Sequence, residues 1–390
     1  MVHLADGMDR ILGEGALQVL KEAHQLEQSG KRILHFEIGQ PDFPTPDNIK
    51  RAGIQAIEDG FTRYTLTTGI PELKHAIQDE IELTRFFRPD LDQIAILPGA
   101  KTGIYLSMIG ICNPKDEIIY PDPGFPTYHS LCRYIRAKPV PIRLREENRF
   151  RMSPEDIANE ITSKTKMIIL NSPQNPTGSV MTKEELNQVA VIAEENDCFI
   201  LSDEIYSKLV YDIEFSSATS YDGASERSIL LDGFSKSYSM TGWRLGYLVG
   251  PRFLVEKLET LMVNAFTCTS EFIQMAGITA LKGPQDDLMK MRKIFQKRRD
   301  VIVDGLNQVP GFSCQKSQGA FYAWPNITET GLSSKEMAHY LLHEAGISCL
   351  PGTAFGVGGE GYLRFSYATS METIVEAIKS MKEAAMRAWK

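Results

Sequence analysis

Short, largely apolar runs alternate with amphipathic stretches through the middle of the chain. Ile94 to Leu97, Glu117 to Tyr120, Pro139 to Arg143, Lys166 to Leu170, Cys198 to Ser202, Ser228 to Leu231 and Tyr247 to Val249 are too short for helices and read as strands. Between several of them polar and apolar residues keep helical spacing, as in Lys183 to Glu195. This alternation predicts an α/β domain with a mostly parallel mixed sheet covered by helices. In such sheets ligands bind in the loops beyond the carboxyl ends of the strands.

The two ends of the chain follow a different pattern. Helical spacing from residue 8 predicts a helix that stops at Ser29-Gly30, and the run ILHFEIG then leads into Gln40-Pro41-Asp42-Phe43-Pro44-Thr45-Pro46. Three prolines exclude a helix there and mark a crossing loop or hinge. Helices follow from about Asp47 to Asp59 and from Pro71. After Pro251 a long helical stretch carries KMRKIFQKRRD, whose apolar residues keep helical spacing, so its basic residues read as a solvated face. SQGAFYAWP, a helix at Ser334 to Ala345, GYLRFSYAT and a terminal helix have the mixed character of a smaller α+β domain. The expected division is a small domain from residues 1–45 and 285–390 and a large domain from 46–284.

Composition narrows the classes of partner. A formal net charge of -8 over 390 residues argues against nucleic acid or an anionic membrane as the main partner. The six cysteines form no C-x-x-C pair, which indicates neither a zinc site nor a disulfide framework but buried reduced thiols. The segment MVHLADGMDR is acidic where a signal peptide needs a basic and then an apolar run, and no stretch is long enough to span a bilayer. The expected location is therefore a reducing cytoplasm.

Candidate chemistry concentrates in residues 228 to 250, SILLDGFSKSYSMTGWRLGYLVG. A small-residue loop presents Lys236 between two serines, and Arg244 follows eight residues later. An amine condenses with carbonyls and an arginine holds an anion, a combination that describes pyridoxal 5'-phosphate. The turn Pro98-Gly99-Ala100-Lys101 joins a strand to a helix, where free backbone N–H groups form a phosphate cup.

NSPQNPTG at 171 to 178, SDEIY at 202 to 206, FSKSYSMTGWRLGY at 234 to 247 and LRFSYA at 363 to 368 occur in that order. With them the chain resembles the class I and II aminotransferases, the fold-type I pyridoxal phosphate enzymes, and is nearest to their bacterial aspartate-type members. The resemblance implies that Lys236 forms the Schiff base and shuttles the proton, and that Asp203 pairs with the pyridine nitrogen. Asn175 and Tyr206 would bond the phenolic oxygen, and Phe125 would stack on the ring where aspartate-type members typically carry tryptophan. Gly99, Ala100, Lys101, Ser235 and Arg244 would hold the phosphate. Arg364, with Gly39 and Asn175, would take the substrate α-carboxylate. Lys101 aligns with a lysine that recognises an acidic side chain, although the usual glutamine after it is Thr102 here. Tyr64 would reach the phosphate of a neighbouring subunit, which implies a homodimer with shared active sites.

The implied activity is ping-pong transfer of an amino group from an α-amino acid, acidic on this resemblance, to a 2-oxo acid. Elimination, replacement or cyclisation on the same fold is the alternative, since the same residues serve those reactions. A non-catalytic sensor related to DNA-binding regulators is disfavoured by the negative charge and the complete catalytic set.

Overall fold

The computed structural model describes residues 4–13, 15–221 and 226–388, so the first three residues of the N-terminal segment lie outside the description. Its strands are β1 (Leu34–His35), β2 (Ile94–Leu97), β3 (Glu117–Asp122), β4 (Lys138–Arg143), β5 (Thr165–Asn171) and β6 (Phe199–Asp203). They continue with β7 (Ser228–Gly233), β8 (Gly246–Val249), β9 (Tyr322–Ala323), β10 (Ile347–Ser348), β11 (Leu350–Pro351) and β12 (Leu363–Ser366). The helices are α1 (Gly15–Gln28), α2 (Asp47–Glu58), α3 (Pro71–Arg85), α4 (Ala100–Ile111), α5 (Pro126–Tyr134) and α6 (Pro154–Glu160). After them come α7 (Lys183–Glu195), α8 (Arg252–Phe266), α9 (Glu271–Lys282), α10 (Asp286–Leu306), α11 (Ser334–Glu344) and α12 (Met371–Ala388).

A seven-stranded sheet in the order β2-β8-β7-β6-β5-β3-β4 forms the centre, parallel throughout except for β8, which runs against both neighbours. Every residue of β2, β3, β7 and β8 is buried, as expected of strands covered on both faces. Separately, β11, β12 and β9 form an antiparallel sheet, and β1 pairs in parallel with β10.

Local chemistry sets several boundaries. Thr182 and Glu185 form a capping box at the start of α7, and Ser333 and Glu336 form another at α11. Pro71 opens α3 at a position where the missing N–H costs nothing, and Phe86 ends it in the left-handed conformation.

Two expectations need correction. α1 starts at Gly15 rather than residue 8, because residues 6–10 fold as turns, with Met8 donating back to the Ala5 carbonyl. The basic run on α10 is not wholly a solvated face. Arg298 and Arg299 are buried, and Arg298 donates through both terminal nitrogens to Asp42 at 2.7 and 2.8 Å. Arg299 pairs with Asp212 at 2.7 Å and donates to the Ser317 carbonyl. Periodicity shows which residues share a face, whereas the acidic partners lie 256 and 87 residues away in sequence.

Candidate active site

β2, β5, β6 and β7 all end on one edge of the central sheet, because β8 reverses twice the direction between β7 and β2. Beyond that edge lies a cleft of about 400 Å³. Gly39, Ala100, Lys101, Phe125, Asn175, Asp203, Tyr206, Ser235, Lys236, Arg244 and Arg364 all line it. Gly99 stands just behind as the cap of α4. Tyr64 is the exception: it does not line this cleft and is 86% exposed.

Lys236 follows β7 and extends across the cleft, where its Nζ donates to the Gly39 carbonyl at 2.6 Å. The nitrogen also sits 5.9 Å from the ring centres of Tyr206 and Phe321. Burial, followed by the positive charges of Arg364, Lys101 and Arg244, pulls its pKa down to about 8, against the opposing pull of Asp203. The neutral, nucleophilic form of the amine is therefore reached far more readily near neutral pH than for an ordinary lysine.

Asp203 is the last residue of β6, paired in register with Asn171 on one side and Leu231 on the other. Burial pushes its carboxyl up to about 6, while the Tyr128 hydroxyl, donating to Oδ2 at 2.7 Å, and the Ile205 amide act in the other direction. The carboxylate is thus oriented by the protein and electrostatically undersatisfied, a setting suited to a cationic ring nitrogen. Asn171, also in the cleft wall, donates to the carbonyls of Asp203 and Pro173 and accepts from the Asn175 amide, locking two of the site loops together.

At the other end of the cleft α4 begins at Ala100, and its first N–H groups lack intrahelical acceptors by helix geometry. Arg244 closes over this turn. Gly99 has a φ of +87°, and a Cβ there would lie 2.3 Å from Arg244 Nη2, so only glycine lets the guanidinium approach. Arg244 itself adopts φ +54° and donates to the Thr241 carbonyl at 2.9 Å. Helix terminus, guanidinium and the buried Ser235 together make an anion pocket.

Arg364, on β12, donates to Asn175 Oδ1 at 3.2 Å and to the Glu37 carbonyl. Its guanidinium lies over the rings of Tyr322 at 4.6 Å and Phe355 at 4.8 Å. Tyr322 was absent from the sequence expectations. Its hydroxyl shares a 2.7 Å hydrogen bond with that of Tyr206 and lies so close beneath Gly39 that a Cβ there would come within 2.2 Å of it. Gly39 therefore presents its carbonyl to Lys236 while its own position is set by Tyr322. Phe125 precedes α5, with Lys101 Nζ 5.0 Å from its ring centre.

Beneath the cleft runs a buried charge network that the sequence reading also missed. Arg85, 1% exposed, donates to Glu204 at 3.1 Å and to Asp232 at 2.5 Å. Ser202 and Ser217 complete Glu204, and Ser207 with the Gly233 amide completes Asp232. Glu204 adjoins Asp203 and Asp232 lies four residues before Lys236, so the network fixes the ends of β6 and β7 against α3.

Residues 31–381 match the family described as aminotransferase class I and II. An aspartate aminotransferase of Pyrococcus horikoshii is 38% identical over 94% of this chain and 94% of its own length. An aromatic-amino-acid aminotransferase of Thermococcus litoralis is 38% identical over 93% of this chain and 94% of its own. Among solved structures, an aspartate aminotransferase from Rhizobium meliloti superposes with a TM-score of 0.95 at 32% identity, covering 99% of this chain and all of that one. With sequence, fold and strand-end cleft in agreement, the chain belongs to the class I and II aminotransferases, a family of pyridoxal phosphate-dependent enzymes that transfer amino groups.

Proposed function

We propose that the cleft holds pyridoxal 5'-phosphate linked to Lys236 and that acidic α-amino acids are its preferred donors. The observation that carries this reading is the charge of the cleft: Lys101, Lys236, Arg244 and Arg364 line it against Asp203 as the carboxylate. That excess of cations suits a phosphate, an α-carboxylate and a side-chain carboxylate together.

The residues suit the cofactor part by part. Ser235, Arg244 and the start of α4 would hold its phosphate, and Asp203 its ring nitrogen. Tyr206 and Asn175 would take its phenolic oxygen, with Phe125 against the ring face. When bound, the group supplies an electron sink that acidifies the Cα–H bond and carries nitrogen between donor and acceptor acids. Lys236, with its lowered pKa, takes the proton from Cα and returns it. Arg364 fixes the α-carboxylate as a planar pair, with Asn175 and Gly39 beside it. Lys101, at the exposed rim above Phe125, meets the side-chain carboxylate.

Of the two relatives above, one is an aspartate and the other an aromatic-amino-acid aminotransferase. The apolar walls Ile38, Ile104, Phe125 and Tyr322 favour aromatic donors as the second reading. Mixing the cofactor-loaded enzyme with single amino acids and following the visible absorbance decides between them. Aspartate and glutamate should give the highest kcat/KM. Lys101→Met should cut the aspartate value about tenfold or more, the worth of one hydrogen bond to a charged group, while changing phenylalanine little. Preference for phenylalanine with no Lys101 effect would establish the aromatic reading, and ammonia release without an acceptor acid would indicate elimination.

A homodimer is part of the same proposal, with Tyr64 of one chain reaching the phosphate of its partner. The exposure of Tyr64 and of Leu66 (64%) on the loop before α3 supports it, and sedimentation of the purified protein tests it. The seven-stranded sheet within residues 94–249 and the three-stranded sheet within 322–366 support a small domain of residues 1–45 and 285–390 around a large one of 46–284. Among the described residues no helix is long and apolar enough to cross a membrane. The six free cysteines, mostly buried, support a reducing compartment such as the cytoplasm.

A further inference from the structure

The parallel pairing of β1 with β10, Leu34 against Ile347 and His35 against Ser348, has a consequence far from the cleft. Each strand is preceded by a helix, α1 before β1 and α11 before β10, so the pairing sets the two helices side by side. They share a small apolar seam of Ala23, Ile33 and Leu342, with Leu26 packed against it. At its solvent edge α1 contributes Glu22, and α11 contributes His339 and His343, four residues apart and hence on one helix face.

We propose that Glu22, His339 and His343 form a surface site for a divalent transition-metal ion, with zinc as the physiological class. Each side chain offers one ligand atom, and the three atoms lie within 4.8 Å of one another. His343 Nε2 is 3.1 Å from Glu22 Oε1, and the two imidazoles stack with ring centres 4.1 Å apart. Ligand atoms around a tetrahedral zinc ion stand roughly 3.4 Å apart, given bonds of about 2.0–2.1 Å. Closure thus needs a shift of about an ångström, which the exposed His339 and Glu22 side chains can make by rotation. Two imidazoles and one carboxylate are a zinc-type donor set, with water filling the remaining position. The i,i+4 histidines supply two ligands from one rigid element, so little ordering is required before the ion arrives. The ion would bridge two helices that share a small apolar seam, and α1 leads through β1 to Gly39 and Gln40 in the cleft wall.

The test is a calorimetric titration of zinc chloride into the cofactor-loaded protein at pH 7.5. One saturable equivalent per chain is expected. His339→Gln and His343→Gln should each weaken it at least about tenfold and Glu22→Gln by a smaller factor. His24→Gln and His35→Gln, at the neighbouring histidine pair, should leave it unchanged. Zinc should also slow tryptic cleavage after the exposed Lys21 in the parent protein and not in His339→Gln. No saturable binding, binding that survives the combined His339→Gln/His343→Gln change, or loss of binding in the His24 or His35 variants would each overturn the proposal.

Discussion

Lys236 Nζ and the Gly39 carbonyl meet at 2.6 Å, a bond that joins the loop after β7 to the segment leading out of β1 across 197 residues of chain. The same nitrogen is the proposed covalent anchor, so taking up the cofactor would release that carbonyl and free the segment around Gly39 to face the substrate. Replacing the amine should leave the fold and abolish the chemistry. Lys236→Ala is expected to lower kcat by about 10³-fold or more, with unchanged circular dichroism, and a small added amine should restore part of the rate. Normal turnover in that variant would refute the assignment.

Cofactor capture should depend on pH through the same group. Only the neutral amine attacks a carbonyl, and burial with three neighbouring cations holds Lys236 at about 8. The rate at which cofactor-free protein takes up pyridoxal phosphate should rise about tenfold from pH 7 to pH 9 and then level off, as read by stopped-flow absorbance. The stability sign follows from the same value. The unfolded lysine binds more protons than the folded one between about 8 and the ordinary 10.5, so its contribution to folding improves as pH rises through that window and is lost below it. An uptake rate flat across this range would exclude Lys236 as the titrating nucleophile.

Arg364→Lys should reduce kcat/KM for amino acids about 100-fold while leaving cofactor affinity within a few-fold. Lysine keeps the charge but loses the fork that donates to Asn175 and could pair with a carboxylate through two bonds. Steady-state kinetics with parallel cofactor titration separates the two effects.

Tyr322→Phe removes one partner from the 2.7 Å hydroxyl pair with Tyr206. The expected loss is about three- to tenfold in kcat, the worth of one neutral hydrogen bond, with a shifted absorbance maximum for the bound cofactor. An unaltered spectrum would mean that the Tyr206 hydroxyl is held independently of Tyr322.

Arg85→Leu should destabilise the protein by about 3–5 kcal/mol, because Glu204 and Asp232 would remain buried without their counter-charge. Denaturant unfolding checks this, and the triple change with Glu204→Gln and Asp232→Asn should recover part of the loss.

These expectations rest on residues that differ in how readily the chain discloses them. The strands of the central sheet were legible to within a residue or two, because runs such as Ile94 to Leu97 are apolar throughout and end at a turn such as Pro98-Gly99. Lys236, Asp203, Asn175 and Arg364 stand inside recognisable motifs, and all four meet in one cleft. Tyr322 stands in no such motif, and its partner Tyr206 is 116 residues away, so only tertiary packing reveals the pair. Arg85 is the same case: at the end of an amphipathic helix it reads as a last-turn basic residue, yet it is buried against acids 119 and 147 residues further on. Helical periodicity tells which side chains are neighbours on one element, and is silent about what the opposite wall supplies.

Arg364 lies over the faces of Tyr322 and Phe355 before any ligand arrives. A guanidinium held against two rings and bonded to Asn175 and the Glu37 carbonyl has little orientational freedom left to surrender on binding, and its planar fork becomes a template. A carboxylate can lie edge to edge with that template, its carbon and both oxygens coplanar with the fork. A sulfonate or phosphonate of equal charge is tetrahedral and turns at least one oxygen out of the plane of the fork, where the guanidinium cannot meet it. Discrimination among acids at this position would thus be geometric before it is electrostatic, and amino sulfonates should be poor donors even where their charge matches that of the natural substrate.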